Sequence, residues 1–292
     1  MKKKPIFYTL LCLILVFTCF SFTQQRQAPP IKLEKISDRL YQILGGSGAN
    51  GGFYIGDNGV LVIDTKQTKE SVDLTFSEIQ KITDKPIKYL VNTHSDGDHI
   101  MGNQYFPKTV TIMAQENCRQ EFLHPRSNGE PSIWENPELA PFLPSLTYSD
   151  NLDIYLGSKK IELRYFGIGH TTGDTVVYFP DEKTAFIGDQ IFMGRAQLIH
   201  SYKGGNSFSH VKTLTKMLDN LEAEKFFSGH SDPIDRSTVK QHIEEMIDLQ
   251  KKIKSLVDQE NTLEEIQKAF DSSQSRLVES IFNEIKNGKM QP

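Results

Sequence analysis

The sequence predicts an α/β fold in which two β-sheets lie between outer layers of helices, followed by a helical C-terminal extension. Three observations support this prediction. The 292-residue chain contains many short β-branched and aromatic runs bounded by Gly, Asn and Asp. Strands followed by an amphipathic helix occur twice, and the last segment has a helical pattern throughout. Elements arranged in this way pack as layers around a hydrophobic core.

The first half of the chain contains four strand-like runs and two helical ones. RLYQILGG, GGFYIGDNGVLVIDT and PIKYLVNT read as strands, and the DNG at residues 57–59 indicates a hairpin. Between the second and third runs, the apolar residues of KESVDLTFSEIQKI recur at helical spacing. TVTIMA predicts a further strand, and a short helix is expected near residues 115–123.

The second half repeats this order. NLDIYLGSKKIELRYFG, TVVYFP and TAFIGD predict strands in antiparallel succession, FSHVKTLTKMLDNL predicts an amphipathic helix, and KFFSGH predicts a strand. The tail is helical over STVKQHIEEMIDLQKKIKSLVDQ, TLEEIQKAF and SRLVESIFNEIKNG, with its charges mostly opposite apolar residues. We therefore divide the chain into a signal at residues 1–23, a main domain at residues 32–233 and a helical extension at residues 234–292.

The N-terminus has the pattern of a secretory signal. Three lysines precede an apolar run from Ile6 to Phe20, which is shorter than the roughly 20 residues that span a bilayer. This pattern predicts export to the periplasm or the medium, with cleavage near Thr23 and no membrane span in the mature protein. Lipid anchoring at Cys19 is less favoured, because VFTC matches a lipoprotein box poorly. An uncleaved N-terminal anchor is the remaining alternative.

The composition favours a small-molecule substrate over nucleic acid. With 33 Lys and Arg against 37 Asp and Glu, the formal net charge is −4, and the body of the chain has no basic run. A nucleic-acid groove normally needs clustered positive charge. Of the three cysteines, only Cys118 lies beyond the predicted signal, so no intrachain disulfide is expected in the mature chain. The oligomeric state is left open.

Four histidines share a setting that indicates a metal site, because each lies at or just after the end of a predicted strand. They are His94 and His99 in THSDGDH, His170 in GIGHTTGD and His230 in SGH, and Asp189 ends TAFIGD in the same way. Loops at strand ends can bring several side chains to one edge of a sheet. Imidazoles together with carboxylates suit divalent transition metals. Any one of these residues is more commonly a surface or capping residue, but the joint pattern predicts a metal centre.

These motifs resemble those of the metallo-β-lactamase superfamily. Its pattern is H-x-H-x-D-H, then a distant Gly-His, an aspartate after a strand and a second Gly-His; here HSDGDH, GIGHTTGD, FIGD and SGH occur in that order. The resemblance covers roughly residues 32–233 and implies an αββα sandwich of two mixed sheets with two divalent metal ions, preferably Zn²⁺, at one edge. By position, site one would use His94, Asp96 and His170, site two Asp98, His99 and His230, with Asp189 bridging both and Asp64 beneath the site.

The resemblance also implies hydrolysis. Two cations that share a water lower its pKa toward about 7, and the metal-bound hydroxide attacks an acyl or phosphoryl centre. Asp98 would orient the nucleophile and relay a proton to the leaving group, which makes it the predicted catalytic residue. We expect an ester, lactone, lactam or thioester, with a phosphodiester less expected. A β-lactam is also less expected, because Asp189 stands where broad-spectrum β-lactamases carry cysteine.

Asp96 departs from the family pattern, which has histidine at this position. A carboxylate weakens the Lewis acidity of site one and favours harder ions such as Fe or Mn. This opens two alternatives: an iron-dependent redox enzyme related to the flavodiiron and persulfide dioxygenase branches, and a non-catalytic metal-binding module. A zinc hydrolase that tolerates the substitution remains preferred. On that interpretation, Asp96→His is expected to raise zinc occupancy and hydrolysis.

Substrate contacts are predicted in the Pro-rich segment 124–144 and after the bridging aspartate. The candidates are Trp134, which is the only tryptophan, together with His200 and Tyr202. Phe122, His124 and Phe142 would complete a wall beside the metals. His210 and His242 lie on predicted helices and are expected to face solvent.

Overall fold

The computed structural model describes residues 28–126 and 128–290. The predicted signal at residues 1–23 lies outside the described residues. Within the described ranges, no helix combines the length and the apolar character needed to cross a bilayer.

In chain order the elements are β1 (Lys32–Lys35), β2 (Leu40–Leu44), β3 (Gly51–Ile55), β4 (Val60–Ile63), α1 (Lys69–Gln80), β5 (Ile87–Val91), α2 (Gly97–Ile100), β6 (Thr111–Gln115), α3 (Glu116–Phe122), β7 (Leu146–Tyr148), β8 (Asn151–Leu156), β9 (Lys159–Tyr165), β10 (Thr175–Phe179), β11 (Thr184–Phe186), α4 (Ser207–Asn220), β12 (Lys225–Phe227), β13 (Ile234–Asp235), α5 (Arg236–Asp258), α6 (Leu263–Lys268) and α7 (Ser275–Lys286).

The strands form two mixed sheets. The first has seven strands in the order β1 to β7, antiparallel from β1 to β4 and parallel from β4 to β7. The second has six strands in the order β13-β12-β11-β10-β9-β8, in which only β11 and β12 pair in parallel. All four residues of β4 are buried, as expected for a strand that is covered on both faces.

The main hydrophobic core lies between the two sheets. Leu61 from the first sheet and Phe227 from the second belong to it, and the ring of Tyr54 stacks on that of Phe179 with 5.0 Å between centroids. Helices cover the outer faces. Val72 of α1 packs against the first sheet, and α4 and α5 pack against the second. These four layers confirm the predicted αββα sandwich.

The C-terminal helices pack on α4 rather than standing apart from the sandwich. Met246 and Ile253 of α5 and Val278 of α7 form a buried apolar cluster. The buried carboxylate of Glu284 on α7 accepts hydrogen bonds from the backbone N–H and the hydroxyl of Ser207, the first residue of α4. This contact ties the helical extension to the first turn of α4.

Three strands go beyond the sequence prediction, and all of them lie at a sheet edge. They are β1, β7 and β13, which have only two to four residues each. A short edge strand meets solvent and carries little of the apolar alternation that identifies a strand in sequence. Because β13 pairs with β12, the second sheet extends two residues past the predicted domain boundary at residue 233.

The expectation that His210 and His242 face solvent is wrong. His210 is fully buried, and its Nε2 lies 2.7 Å from the backbone oxygen of Gln190. His242 is partly buried, and its ring packs 5.7 Å from that of His210 between α4 and α5. The polar residues of α4 suggest a single solvated face, but α5 covers part of that face.

Candidate metal centre

The ends of parallel strands place the predicted site residues at one edge of the sandwich. Asp64 follows β4 and His94 follows β5 within three residues, and these two strands are parallel neighbours. Asp189 and His230 each lie three residues beyond the ends of β11 and β12, which are the parallel pair of the second sheet. Because the carboxyl ends of parallel strands point the same way, both sheets deliver polar side chains to the same edge.

The seven residues predicted as metal ligands come together in two adjacent groups. One group is His94, Asp96, His170 and Asp189, and the other is Asp98, His99 and His230, with the candidate ligand atoms of each group within 4.8 Å of one another. Asp189 connects the groups: its Oδ2 lies 3.8 Å from His94 Nε2 and 3.3 Å from His230 Nε2, and its Oδ1 lies 3.2 Å from His99 Nε2.

The carboxylate of Asp64 determines which ring nitrogens of His94 and His99 face the centre. It accepts from His99 Nδ1 at 2.8 Å and from the Thr93 hydroxyl at 2.7 Å. Because that hydroxyl donates to Asp64, it can only accept from His94 Nδ1, 3.0 Å away. In the neutral form, both imidazoles therefore carry their proton on Nδ1 and present the lone pair of Nε2 to the centre.

His170 is oriented in the same way by the backbone. Its Nδ1 donates to the carbonyl oxygen of Leu198 at 2.8 Å, so a neutral ring presents the lone pair of Nε2 to Asp96 Oδ2, 3.0 Å away. His94 Nε2 lies 3.5 Å from the same oxygen. Lone pairs that face a carboxylate repel one another unless a proton or a cation lies between them.

Buried atoms without a partner show that this donor set fits metal ions. Among the described residues, His94 Nε2, His99 Nε2 and Asp189 Oδ1 are buried and make no hydrogen bond. Buried polar atoms in folded proteins almost always have a partner. Three unsatisfied acceptors that converge on one place, all of them imidazole nitrogen or carboxylate oxygen, are what a divalent transition metal requires.

The charges of the centre shift the protonation of its members strongly. Burial alone would raise the pKa of Asp189, but the charge of the nearby His99 and the contact with His230 hold it well below its usual range. Hydrogen bonds with Asp189 and Asp98 raise the pKa of His230 to about 9. Burial would lower the pKa of His170, but its hydrogen bond with Asp96 raises it to about 9. Protons thus occupy part of the centre when no cation is bound.

The centre opens to solvent on one side. The side chains of Asp98 and His230 are 32% and 29% exposed, and Asp98 Oδ2 lies 3.0 Å from His230 Nε2. His94, His99 and His170 are buried. A substrate therefore reaches the centre from the side of Asp98 and His230.

The two candidates for substrate contact after Asp189 lie beside the centre. His200 Nε2 is 2.8 Å from Asp96 Oδ2, and the exposed ring of Tyr202 packs edge-on against that of His200 with 5.1 Å between centroids. The segment that carries them also brings Lys203 to Asp96, with 2.6 Å between Nζ and Oδ1. Sequence reasoning missed Lys203, although it stands next to two residues that were singled out.

Trp134 is not placed to contact a substrate, which corrects the sequence-based expectation. It is only 4% exposed and packs against Phe122 with 5.0 Å between ring centroids. Both belong to a buried cluster with Ile100 and Cys118. The Pro-rich segment folds back over α3, so its largest apolar side chain fills a core instead of lining a cleft. The exposed His124 bonds to the neighbouring Pro125 carbonyl.

Comparison with known families agrees with this geometry. The family model of the metallo-beta-lactamase superfamily matches residues 44–230 of the chain. The chain belongs to this superfamily. Membership confirms the resemblance inferred from the motifs, implies hydrolytic chemistry, and implies divalent metal ions at the His/Asp cluster.

Proteins with different names share parts of this sequence. The chain is 24% identical over 247 residues to a metallo-beta-lactamase type 2 from Elizabethkingia meningoseptica, which covers 79% of this chain and 90% of that protein. It is 29% identical over 143 residues to the 2,4-dinitroanisole O-demethylase subunit alpha of Nocardioides sp. strain JS1661, covering 48% of this chain and 40% of that protein. The fold is similar to the solved structure of a metallo-beta-lactamase from Pontibacter korlensis, with a TM-score of 0.61 and 18% identity over 74% of this chain and 98% of that one.

Proposed function

We propose that the protein is an exported metal-dependent hydrolase that cleaves an ester, lactone, lactam or thioester bond. The observation that carries this proposal is the convergence of three unpartnered buried acceptors, one of which belongs to the Asp189 carboxylate, whose oxygens lie within 3.8 Å of histidines of both ligand groups. A site that only stabilised the fold would not need an opening to solvent, but here Asp98 and His230 are partly exposed.

The proposal assigns the seven ligand positions to two divalent ions, preferably Zn²⁺. One group contributes His94, Asp96 and His170, the other contributes Asp98, His99 and His230, and Asp189 serves both. When bound, the ions supply a nucleophilic hydroxide at neutral pH and stabilise negative charge on the substrate oxygen.

Asp98 is the proposed proton carrier. Its carboxylate lies at the open side of the centre, within hydrogen-bond distance of His230. A carboxylate there can orient a nucleophilic water and pass its proton to the leaving group. Asp64 and Thr93 lie on the opposite, buried side, where they hold His94 and His99 in the tautomer that can bind metal.

The residues that would contact the substrate are exposed around the opening. Tyr202 and Met193 are large exposed side chains on the segment that follows Asp189. The exposed guanidinium of Arg195 lies 4.0 Å from the ring centroid of Phe192, which in turn stacks on His230. A substrate with an apolar body and a carbonyl group matches this mixture of aromatic, thioether and cationic surface.

The two alternative functions, an iron-dependent redox enzyme and a non-catalytic metal-binding module, predict different metal contents and activities. The iron-dependent redox enzyme rests on Asp96 alone and is not favoured, since the family match and the relative that covers most of the chain point to hydrolysis. A non-catalytic metal-binding module, in which Asp96 has disabled site one, predicts one bound metal ion or none and no turnover. Export rests on the pattern of residues 1–23, and the N-terminal mass of the secreted protein tests it.

The experiment that tests the function combines metal content with a substrate panel. The protein is purified without chelator or added metal, its metals are measured by elemental mass spectrometry, and esters, lactones, β-lactams and thioesters are assayed. We expect about two zinc ions per chain and turnover that Asp98→Ala abolishes. Asp219→Ala, an exposed aspartate on α4, is the matched control. One zinc ion or none per chain, with no turnover of any substrate, would support the binding module instead.

A further inference from the structure

The two oxygens of the Asp96 carboxylate have separate partners. Oδ1 accepts a hydrogen bond from the ammonium of Lys203, 2.6 Å away. Oδ2 lies 2.8 Å from His200 Nε2 and 3.0 Å from His170 Nε2. Lys203 thus holds one oxygen, and the other is turned toward His200 of the same segment and toward His170 of the metal centre.

Lys203 is a fixed part of the centre and not a surface lysine. Its side chain is only 9% exposed, and its Nζ also donates to the Ser95 hydroxyl at 2.8 Å. That hydroxyl donates in turn to the buried carboxylate of Glu121 on α3. A buried ammonium is strongly unfavourable unless it is paired, so this position of Lys203 depends on Asp96.

The pairing changes the charge of site one. A histidine ligand is neutral when it binds a metal, whereas an aspartate at the same position adds one negative charge. The ammonium of Lys203 returns one positive charge within 2.6 Å of that carboxylate. Together Asp96 and Lys203 carry the net charge of the single histidine that the family pattern has at position 96.

We propose that Lys203 is a positioning residue for the metal centre: it cancels the charge of Asp96 and holds the carboxylate so that only Oδ2 faces His94 and His170. The proposal rests on the proposed metal-dependent function and deepens it.

The pairing reverses one expectation drawn from the sequence. Considered alone, Asp96→His restores the family ligand and should raise zinc occupancy. With Lys203 in contact, the same change leaves a buried ammonium without its carboxylate, so its positive charge beside the metal is no longer compensated. We expect Asp96→His to bind site-one zinc about 10–100-fold more weakly than the wild type, the range for loss of a supporting contact to a metal ligand. Adding Lys203→Met should recover most of that loss.

Four proteins test the proposal: the wild type, Asp96→His, Lys203→Met and the double variant. Zinc affinity is measured by chelator competition, and the melting temperature is measured on metal-free samples. We expect the effects of the two substitutions to be non-additive in both the zinc affinity and the melting temperature. The double variant should bind zinc more tightly than Asp96→His alone. Lys212→Met removes an exposed lysine of α4 and should change neither quantity in either background. If a variant fails to fold, Asp96→Asn and Lys203→Gln replace it, because both keep hydrogen-bonding groups.

Two results would overturn the proposal. One is that the effects of Asp96→His and Lys203→Met on zinc affinity are strictly additive, and that Asp96→His alone binds zinc as tightly as the wild type. The other is that the two substitutions are non-additive in the melting temperature but additive in zinc affinity, which would mean that Asp96 and Lys203 stabilise the fold without positioning a metal ligand. Zinc binding by the wild type without hydrolysis of any acyl substrate defeats the proposed function but leaves this measurement intact. Hydrolysis by the wild type together with additive zinc affinities in the four proteins defeats only the positioning role proposed for Lys203.

Discussion

His99 Nδ1 lies 2.8 Å from Asp64 Oδ2, and both side chains are buried. Asp64 has a positive backbone φ of 56°, which is uncommon for a residue other than glycine. The turn after β4 is held in this conformation by the backbone hydrogen bond from Asp64 N to Val91 O at 2.8 Å. A strained, buried aspartate beneath a cluster of histidines indicates that its function is to orient them.

Asp64→Asn should therefore weaken metal binding without moving any ligand. The amide has a single acceptor oxygen, so it cannot accept from His99 Nδ1 and the Thr93 hydroxyl, which share Oδ2, and also from the Thr93 backbone N–H, which bonds to Oδ1 at 2.7 Å. Its NH2 group would face a donor on one side, so the tautomers of His94 and His99 are no longer enforced. We expect metal affinity to fall about 10–100-fold, measured by chelator competition. Asp219→Asn on the surface of α4 should leave it unchanged. An Asp64→Asn variant with wild-type affinity would contradict the orienting role.

Gly229 is predicted to tolerate no side chain. A Cβ built at this residue would lie 2.4 Å from Asp189 Oδ1 and 2.5 Å from His99 Cε1. Gly229→Ala must therefore displace Asp189 or His99, two of the proposed metal ligands, and we expect loss of bound metal and of activity. Gly97→Ala is the control inside the same site, because its Cβ meets only Met101 Cγ at 3.5 Å. Equal metal content in the two variants would contradict the close packing of Gly229.

The stability of the metal-free protein should depend on pH through His170 and His230. Both pKa values are raised from 6.5 to about 9. A raised pKa stabilises the folded state fully below pH 6.5, and this stabilisation is lost as the pH rises through 9. The melting temperature of chelator-treated protein should therefore fall across this range. Metal-loaded protein should lack this fall, and His124→Gln, at an exposed histidine, should not alter it. A rising melting temperature over the same range in the metal-free protein would contradict the assignment.

Trp134→Ala should reduce stability and leave substrate binding alone. Truncating a buried aromatic side chain of this size costs about 3–5 kcal/mol of unfolding free energy, which denaturant titration of the metal-loaded protein can measure. Tyr202→Ala, at the exposed ring beside His200, should instead raise KM with little change in stability. A raised KM without loss of stability in Trp134→Ala would instead indicate that Trp134 contacts the substrate.

Most of the fold could be predicted because its elements have strong periodicity. The central strands and the amphipathic helices α1, α4 and α5 carry patterns that burial imposes on the sequence. The edge strands β1, β7 and β13 could not be predicted, because short edge strands carry little of that pattern. His210 looked solvated for a related reason, since the helix that covers it, α5, is remote in sequence.

At the metal centre too, features with a local sequence pattern could be predicted, whereas contacts between residues remote in sequence could not. The convergence of the candidate ligands could be predicted because His94, Asp96, Asp98 and His99 are close together in sequence, and His170, Asp189 and His230 lie in the loops that follow strands. Thr93 was not singled out, since nothing local shows that its hydroxyl must link Asp64 to His94. Trp134 looked like a binding residue because a lone tryptophan in a Pro-rich segment gives no sign of the core beneath it.

The sequence by itself determined the strand ends, the order of the motifs and the chemical type of the ligands, because these follow from local spacing and residue chemistry. Only the tertiary structure decided that Lys203 pairs with Asp96, a residue 107 positions away in the chain. Electrostatic pairing depends on distance in space and on burial, and neither is encoded by the residues adjacent to a charge. The one position that departs from the family pattern therefore acquires its partner from the fold.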